Sequence, residues 1–157
     1  RKGACSSLDV VKTIAEIGGA NVPGDWNGDS VAGWADDPAT KWKDMAVSEY
    51  YGHNIASGYA MLRMGQYKYV YHARMDDSHG PERELYNLDS DPKEFANLAN
   101  RKEYSERIAE MHRIVVRETG REPDETEQIC RADYAKGYGR DKQGAKKRRK
   151  KAASDTG

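Results

Sequence analysis

Residues 59–72, YAMLRMGQYKYVYH, place two alternating runs around a glycine. No other stretch limits the fold as strongly. Each run has the two-residue period of a strand, and Met64-Gly65-Gln66 joins them as a hairpin. In the second run Tyr67, Tyr69 and Tyr71 face one side, and Lys68, Val70 and His72 face the other. Such a hairpin can be the edge of a core, a binding wall or part of a larger enzyme, and its alternation sets the register of its neighbours.

Those neighbours are legible. MAVSEYY precedes the hairpin as a strand, and RELYNL follows as a fourth after a polar loop, Ala73 to Glu82. The segment DSDPKEFANLA is a turn closed by Pro92. Lys102 to Glu118 is the clearest helix: Tyr104, Ile108, Met111 and Val115 recur at helical spacing, and Gly120 ends it. Near the start, Ser6 and Asp9 form a capping box for a helix with Val10, Ile14 and Ile17 as its apolar stripe, stopped at Gly18–Gly19. A loop rich in Pro, Gly, Asn and Asp follows, pinned by the buried rings of Trp26, Trp34 and Trp42. Asp124 and Glu127 form a second capping box and start a weaker helix through about Ala135. From Gly137 onward the composition is that of disorder.

The expected fold class is α+β: a small four-stranded antiparallel sheet packed against a long helix, with flanking helices and a disordered basic tail. We divide the chain into a helix and loop over 5–45, sheet and helix over 46–120, a trailing helix over 121–136 and a tail over 137–157.

Composition agrees with a chain only partly packed. Of 157 residues, 33% are charged and 37% hydrophobic, with a mean hydropathy of −0.99. The zero net charge hides an asymmetry: KKRRKK, Lys146 to Lys151, holds six of the 26 basic residues, so the remaining 20 face 26 acidic ones and the body is net −6. No apolar run approaches the ~20 residues that cross a bilayer. The chain opens on Arg rather than Met, as a processed, truncated or incomplete chain would.

The candidates for chemistry are few. Cys5 sits at a helix start where the dipole favours a thiolate, yet no His pairs with it, and a packed small thiol is the preferred reading. Cys130 falls mid-helix. A Cys5–Cys130 disulfide and two free buried thiols both stay open. DDSHG, Asp76 to Gly80, could gather metal ligands but is better read as a solvated loop, so neither metal nor catalytic residues are assigned. His72 ends a strand and His112 borders the helix stripe. His53, in the Gly-containing loop of SEYYGHNIASGY, is the candidate substrate-binding residue, because loops on a rigid sheet concentrate binding groups. Arg63 is expected to pair with Glu49 on a neighbouring strand. The basic tail lacks interleaved aromatics, so a solvated tail is preferred to a nucleic-acid arm.

Three segments then resemble one family. ELYNLDSDPKEFANLA resembles the sulfatase pattern E-L-Y-D-L-x-x-D-P-x-E-x-x-N-L, matching at Leu85, Tyr86, Leu88, Asp91, Pro92, Glu94, Asn97 and Leu98, with Asn87 in place of Asp. SEYYGHNIASGYAMLRMGQYKYVYH is similar to the family's Ser-Glu-Tyr strand, Met-x-Arg strand and Tyr-Lys-Tyr strand. SLDVVKTIAEIGGANVPGDWNGDS is similar to its Asp-x-x-Pro-Thr helix and following Asp-Gly loop, matching at Asp9, Thr13, Gly19, Pro23 and Gly28, with Lys12 in place of Pro and Asn27 in place of Asp. The order and spacing cover about residues 5–100.

The resemblance implies a sulfatase of the alkaline-phosphatase-like superfamily, arylsulfatase- or choline-sulfatase-like, present only as its C-terminal portion. It implies a sulfuric ester hydrolase that uses a formylglycine from C/S-x-P-x-R and a divalent cation, usually calcium. CSSLD and CRADY do not fit that motif. The chain is therefore expected to be inactive alone, to partner the missing catalytic domain and to supply one wall of a sulfate-ester pocket through His53. Members are often exported. The alternatives are an interaction or nucleic-acid-binding module using the tail, and a phosphonate or phosphate ester hydrolase of the same superfamily.

Overall fold

The computed structural model describes residues 3–37, 39–52 and 55–137. The alternating runs pair as β2 (Tyr59–Met64) and β3 (Tyr67–His72), antiparallel about Gly65–Gln66. Gly65 takes φ +53°, a left-handed turn conformation that a Cβ would penalise. β1 (Met45–Tyr50) adds to β2 and β4 (Glu82–Asn87) adds to β3, so the sheet order β1-β2-β3-β4 follows the chain.

Register puts Val47, Leu62, Tyr69 and Leu85 in one row across the sheet. On this face lies α3 (Ser105–Thr119), entered through a 3-10 turn at Lys102–Tyr104. Met111 and Val115 bury completely against Leu62, Tyr69 and Leu85, while Tyr104 and Ile108 pack at the margin. Each such large apolar side chain contributes roughly 1.5–3 kcal/mol. The stripe predicted from spacing is the stripe that packs, and Gly120 closes the helix at φ +76°.

The stretch after β4 has a mechanical purpose. Leu98 N–H donates to Leu85 O (2.8 Å), and the Asn97 amide accepts from Leu85 N–H (3.1 Å) and donates to Arg83 O (3.1 Å). Together they cover the outer edge of β4, which would otherwise offer unpaired backbone groups. Asp91 accepts the Ala96 N–H (2.8 Å), and Glu94 pairs with Lys68 of β3 (2.6 Å). The D-P-x-E-x-x-N-L pattern is thus an edge cover tied to its sheet.

Three helices flank this core: α1 (Ser7–Ile17), the short α2 (Ala32–Asp36) and α4 (Pro123–Lys136). The Ser6–Asp9 capping box of α1 forms as expected. Among the described residues no helix is long and apolar enough to cross a membrane.

Several local expectations are corrected. Val10, Ile14 and Ile17 point outward, with Ile14 65% and Ile17 76% exposed. Trp34 and Trp42 stack at 5.2 Å, but Trp26 is 43% exposed rather than buried. Asp124 and Glu127 are not a capping box. Pro123 occupies the first helical position and makes Glu122 the cap, which moves both acids inside the helix. Glu49 does not pair with Arg63: register sets Glu49 opposite Ala60 and Arg63 opposite Ala46, and the Arg63 guanidinium donates to Tyr67 O instead (3.4 Å).

Candidate functional site

The last residues before β2, 55–58, are held by α4. Glu127, almost fully buried, accepts the Gly58 N–H (2.9 Å) and the Arg131 guanidinium (2.6 Å), and Arg131 also donates to Ala56 O (2.7 Å). Asp124 accepts the Arg74 N–H (2.8 Å) at the neighbouring loop. The acids misread as a cap therefore tie the helix to two sheet loops. Only glycine fits at 58, because a Cβ there would run into the Tyr51 ring and the Glu127 carboxylate. Burial pushes the Tyr51 phenol far up, and the Glu49 charge adds to the shift.

Behind this loop end, Tyr69 and Tyr71 carry polar tips into the core margin. The Tyr69 hydroxyl meets His112 Nδ1 (3.1 Å), whose Nε2 meets Glu122 (3.0 Å). Burial raises both phenols to about 12, with nearby Arg83 opposing the rise and Asp124 adding to it at Tyr71. They are hydrogen-bonding anchors at neutral pH, far from ionising.

The histidines and thiols fall apart as a set. His53 lies outside the described residues. His72 bonds Glu84 across the strand pair (2.8 Å). His79 closes the DDSHG loop on Asp76 (2.9 Å), which holds that carboxyl below its usual value, and the loop is exposed. Both cysteines are free. Cys5, just before the α1 cap Ser6, is exposed rather than packed, and Cys130 is half-buried. Among the described residues no three His, Cys, Asp or Glu side chains converge as a metal site requires.

The second feature is α1, whose polar side faces in. Asp9 is fully buried: Oδ2 accepts the Ser6 N–H (2.6 Å) and hydroxyl (2.8 Å), and Oδ1 accepts the Asp29 N–H (2.8 Å) and the Lys43 ammonium (2.8 Å). Lys43 also pairs with Asp29 (2.9 Å). Burial alone would raise the Asp9 carboxyl, but Lys43 and the backbone donors outweigh it and hold it low. Thr13 accepts the Val31 N–H (2.9 Å) and donates to Asp9 O (2.7 Å). Gly28 lets the loop pass the helix, since a Cβ there would lie 2.6 Å from Leu8 O. The motif positions Asp9, Thr13 and Gly28 therefore make one clasp. Lys43 and Asp29, which complete it, carried no local signal because their partners lie far away in sequence.

With its polar side clasped, α1 turns Leu8, Val10, Val11, Ile14 and Ile17 to solvent. At 100° per residue these positions span about half the helix circumference. A cleft of about 350 Å³ adjoins them, lined by Leu8, Trp26, Lys43, Met45 and Val47 among others. A continuous apolar face of this kind on an outer helix marks an interaction surface.

Residues 2–120 match the C-terminal family described as N-sulphoglucosamine sulphohydrolase. An arylsulfatase of Clostridium perfringens is 25% identical over 120 residues, 76% of this chain and 24% of its own length. The solved structure of a protein in complex with its substrate D-glucosamine-2-N,6-O-disulfate superposes with a TM-score of 0.60 at 22% identity, covering 78% of this chain and 27% of that one. A 2-O glycosaminoglycan sulfatase superposes with a TM-score of 0.56 at 25% identity, over 83% and 26% respectively. The chain thus spans about a quarter of the length of the relatives it matches.

Proposed function

Since the chain belongs to the C-terminal family of the sulfatases, we propose that it is the C-terminal lobe of a sulfuric ester hydrolase and works only against a catalytic domain. The carrying observation is the outward apolar face of α1. A partner-free helix would turn Val11, Ile14 and Ile17 inward, whereas here Asp9 and Thr13 take the inner positions. A catalytic domain of apolar complementarity covers that face. The absence of C/S-x-P-x-R from the sequence supports the same reading, since the nucleophile and its metal would come from that domain.

The family description and the glycosaminoglycan sulfatase support a sulfated amino-sugar or glycosaminoglycan substrate. In this reading the β1–β2 loop, braced by Glu127 and Arg131, forms one wall of the pocket, and His53 contacts the substrate. A divalent cation, calcium by resemblance, belongs to the catalytic domain.

The test uses the 157-residue chain and an active enzyme that carries it. The chain alone should hydrolyse no sulfated glucosamine. In the enzyme, Ile14→Lys with Ile17→Lys should abolish activity by separating the lobes, and His53→Ala should lower kcat/KM on the same sugar about tenfold or more. Turnover by the isolated chain, or full activity with both lysines present, would overturn the docking reading. An unchanged kcat/KM would remove His53 from the site.

A further inference from the structure

The side that α4 turns to the rest of the chain is polar. Asp124, Glu127 and Arg131 recur at spacings of three and four, within about 60° of one another around the helix axis. Asp124 accepts the Arg74 N–H after β3 (2.8 Å), Glu127 accepts the Gly58 N–H before β2 (2.9 Å), and Arg131 donates to Ala56 O (2.7 Å). At the helix start Glu122 bonds His112 of α3 (3.0 Å). Residues 55–58 and 73–76 lie side by side, since the Ala73 N–H donates to Gly58 O (2.8 Å). One stripe of three side chains therefore spans both connections at the same end of the sheet. Among the described residues, the buried apolar cluster takes no member from α4, and Ile129 and Tyr134 of that helix are exposed. The family match ends at residue 120, before the helix begins.

We propose that α4 is a detachable clamp: Asp124, Glu127 and Arg131 latch residues 55–58 to residues 73–76, and as positioning residues they fix the two connections as one wall of the pocket. The proposal rests on the sulfatase reading above for what that wall faces. The clamp itself rests on the character of the contacts. α3 docks through Met111 and Val115, which share one buried cluster with the sheet, so it leaves only when that core unfolds. α4 docks through hydrogen bonds and an ion pair at loop ends, which water replaces, so it leaves while the sheet stays folded. The buried Glu127 carboxylate makes the latches act together, because it is stable there only while Gly58 and Arg131 both bond it. Loss of one latch therefore loosens the others, and undocking frees both connections at once.

The experiment follows amide exchange in the 157-residue chain carrying Asp124→Ala or Arg131→Ala. Asp124 bonds Arg74 and Arg131 bonds Ala56, so each substitution is read at the connection it does not touch. Asp124→Ala should speed exchange at Gly58, and Arg131→Ala should speed it at Arg74, each about tenfold. Amides of Leu62, Tyr69 and Met111 should keep wild-type protection. Asp124→Asn, which retains an oxygen for the Arg74 N–H, should restore most of the protection at Gly58. Exchange that quickens only on the side of the lost bond overturns the clamp. Equal loss at Leu62, Tyr69 and Met111 overturns it too, since α4 would then be part of the core. In an active enzyme carrying the chain, Asp124→Ala should raise KM for a sulfated glucosamine about fivefold and leave kcat within about twofold, as loss of uniform binding does. Exchange is read without turnover, so coupled exchange with an unchanged KM upholds the clamp and removes these connections from the pocket wall.

Discussion

Asp9 has no exposure and yet carries a charge, a combination that is stable only when its oxygens are bonded. Four donors reach it, one of them the Lys43 ammonium. Asp9→Asn keeps the shape but turns one acceptor into a donor and leaves Lys43 with Asp29 as its remaining carboxylate partner. The expected cost at pH 7 is about 2–3 kcal/mol, read by urea denaturation. The pH dependence has a definite sign. The native carboxyl is held low, so its contribution is present above the unfolded value near pH 4 and is lost as pH falls through the native one. The gap between wild type and Asp9→Asn should therefore narrow below about pH 4, and a constant gap down to pH 2 would refute the assignment. The sequence showed Asp9 as a cap because Ser6 stands three residues away. It could not show Lys43, because an ion pair spanning 34 positions leaves no local pattern.

Period and spacing made the sheet and α3 legible at the scale of elements. Alternation in β2 and β3 and the Tyr104–Val115 stripe both report burial directly. The same logic misled at α1, where periodicity finds an apolar stripe but cannot say what covers it. Two further outcomes follow. Ile14→Lys with Ile17→Lys should leave the isolated chain's stability within about 0.5 kcal/mol, since both side chains are already in water, while lowering hydrophobic-dye fluorescence and aggregation. A destabilisation above 2 kcal/mol would mean that α1 packs elsewhere in solution. At the other end, Glu127→Ala leaves the Gly58 N–H and Arg131 without their acceptor. It should cost about 1–3 kcal/mol and speed amide exchange at Gly58 and in the first turn of α4. Capping statistics suggested a cap for Asp124 and Glu127 because they read Asp-x-x-Glu. Pro123 overrides that pattern by fixing where the helix begins.

Across the whole molecule, residues 3–44 and the sheet–helix core are joined by few bonds. The segment bonds mainly to itself: the Ala4 N–H donates to Asp44 (2.5 Å), the Trp42 indole donates to Ala4 O (2.6 Å) and Lys43 reaches Asp9, whereas the link across to the hairpin is the Gly65 N–H donating to Asp44 O (3.2 Å). The buried apolar cluster, by contrast, lies wholly within the sheet, its edge cover and α3. A region held by polar bonds at its margin, with its apolar face in water, opens at lower cost than one holding the core. Native-state hydrogen exchange should then resolve two levels, with amides of α1 and the following loop exchanging through a low-energy opening and those of β2, β3 and α3 exchanging last. Asp9→Asn should lower the first level and leave the second within about 0.5 kcal/mol. Met111→Ala, which empties a fully buried site, should lower the second by about 2–5 kcal/mol. Docking a catalytic domain on α1 should raise the first level toward the second. A single level for all amides, shifted equally by both substitutions, would show instead that the N-terminal segment folds as one unit with the sheet without any partner.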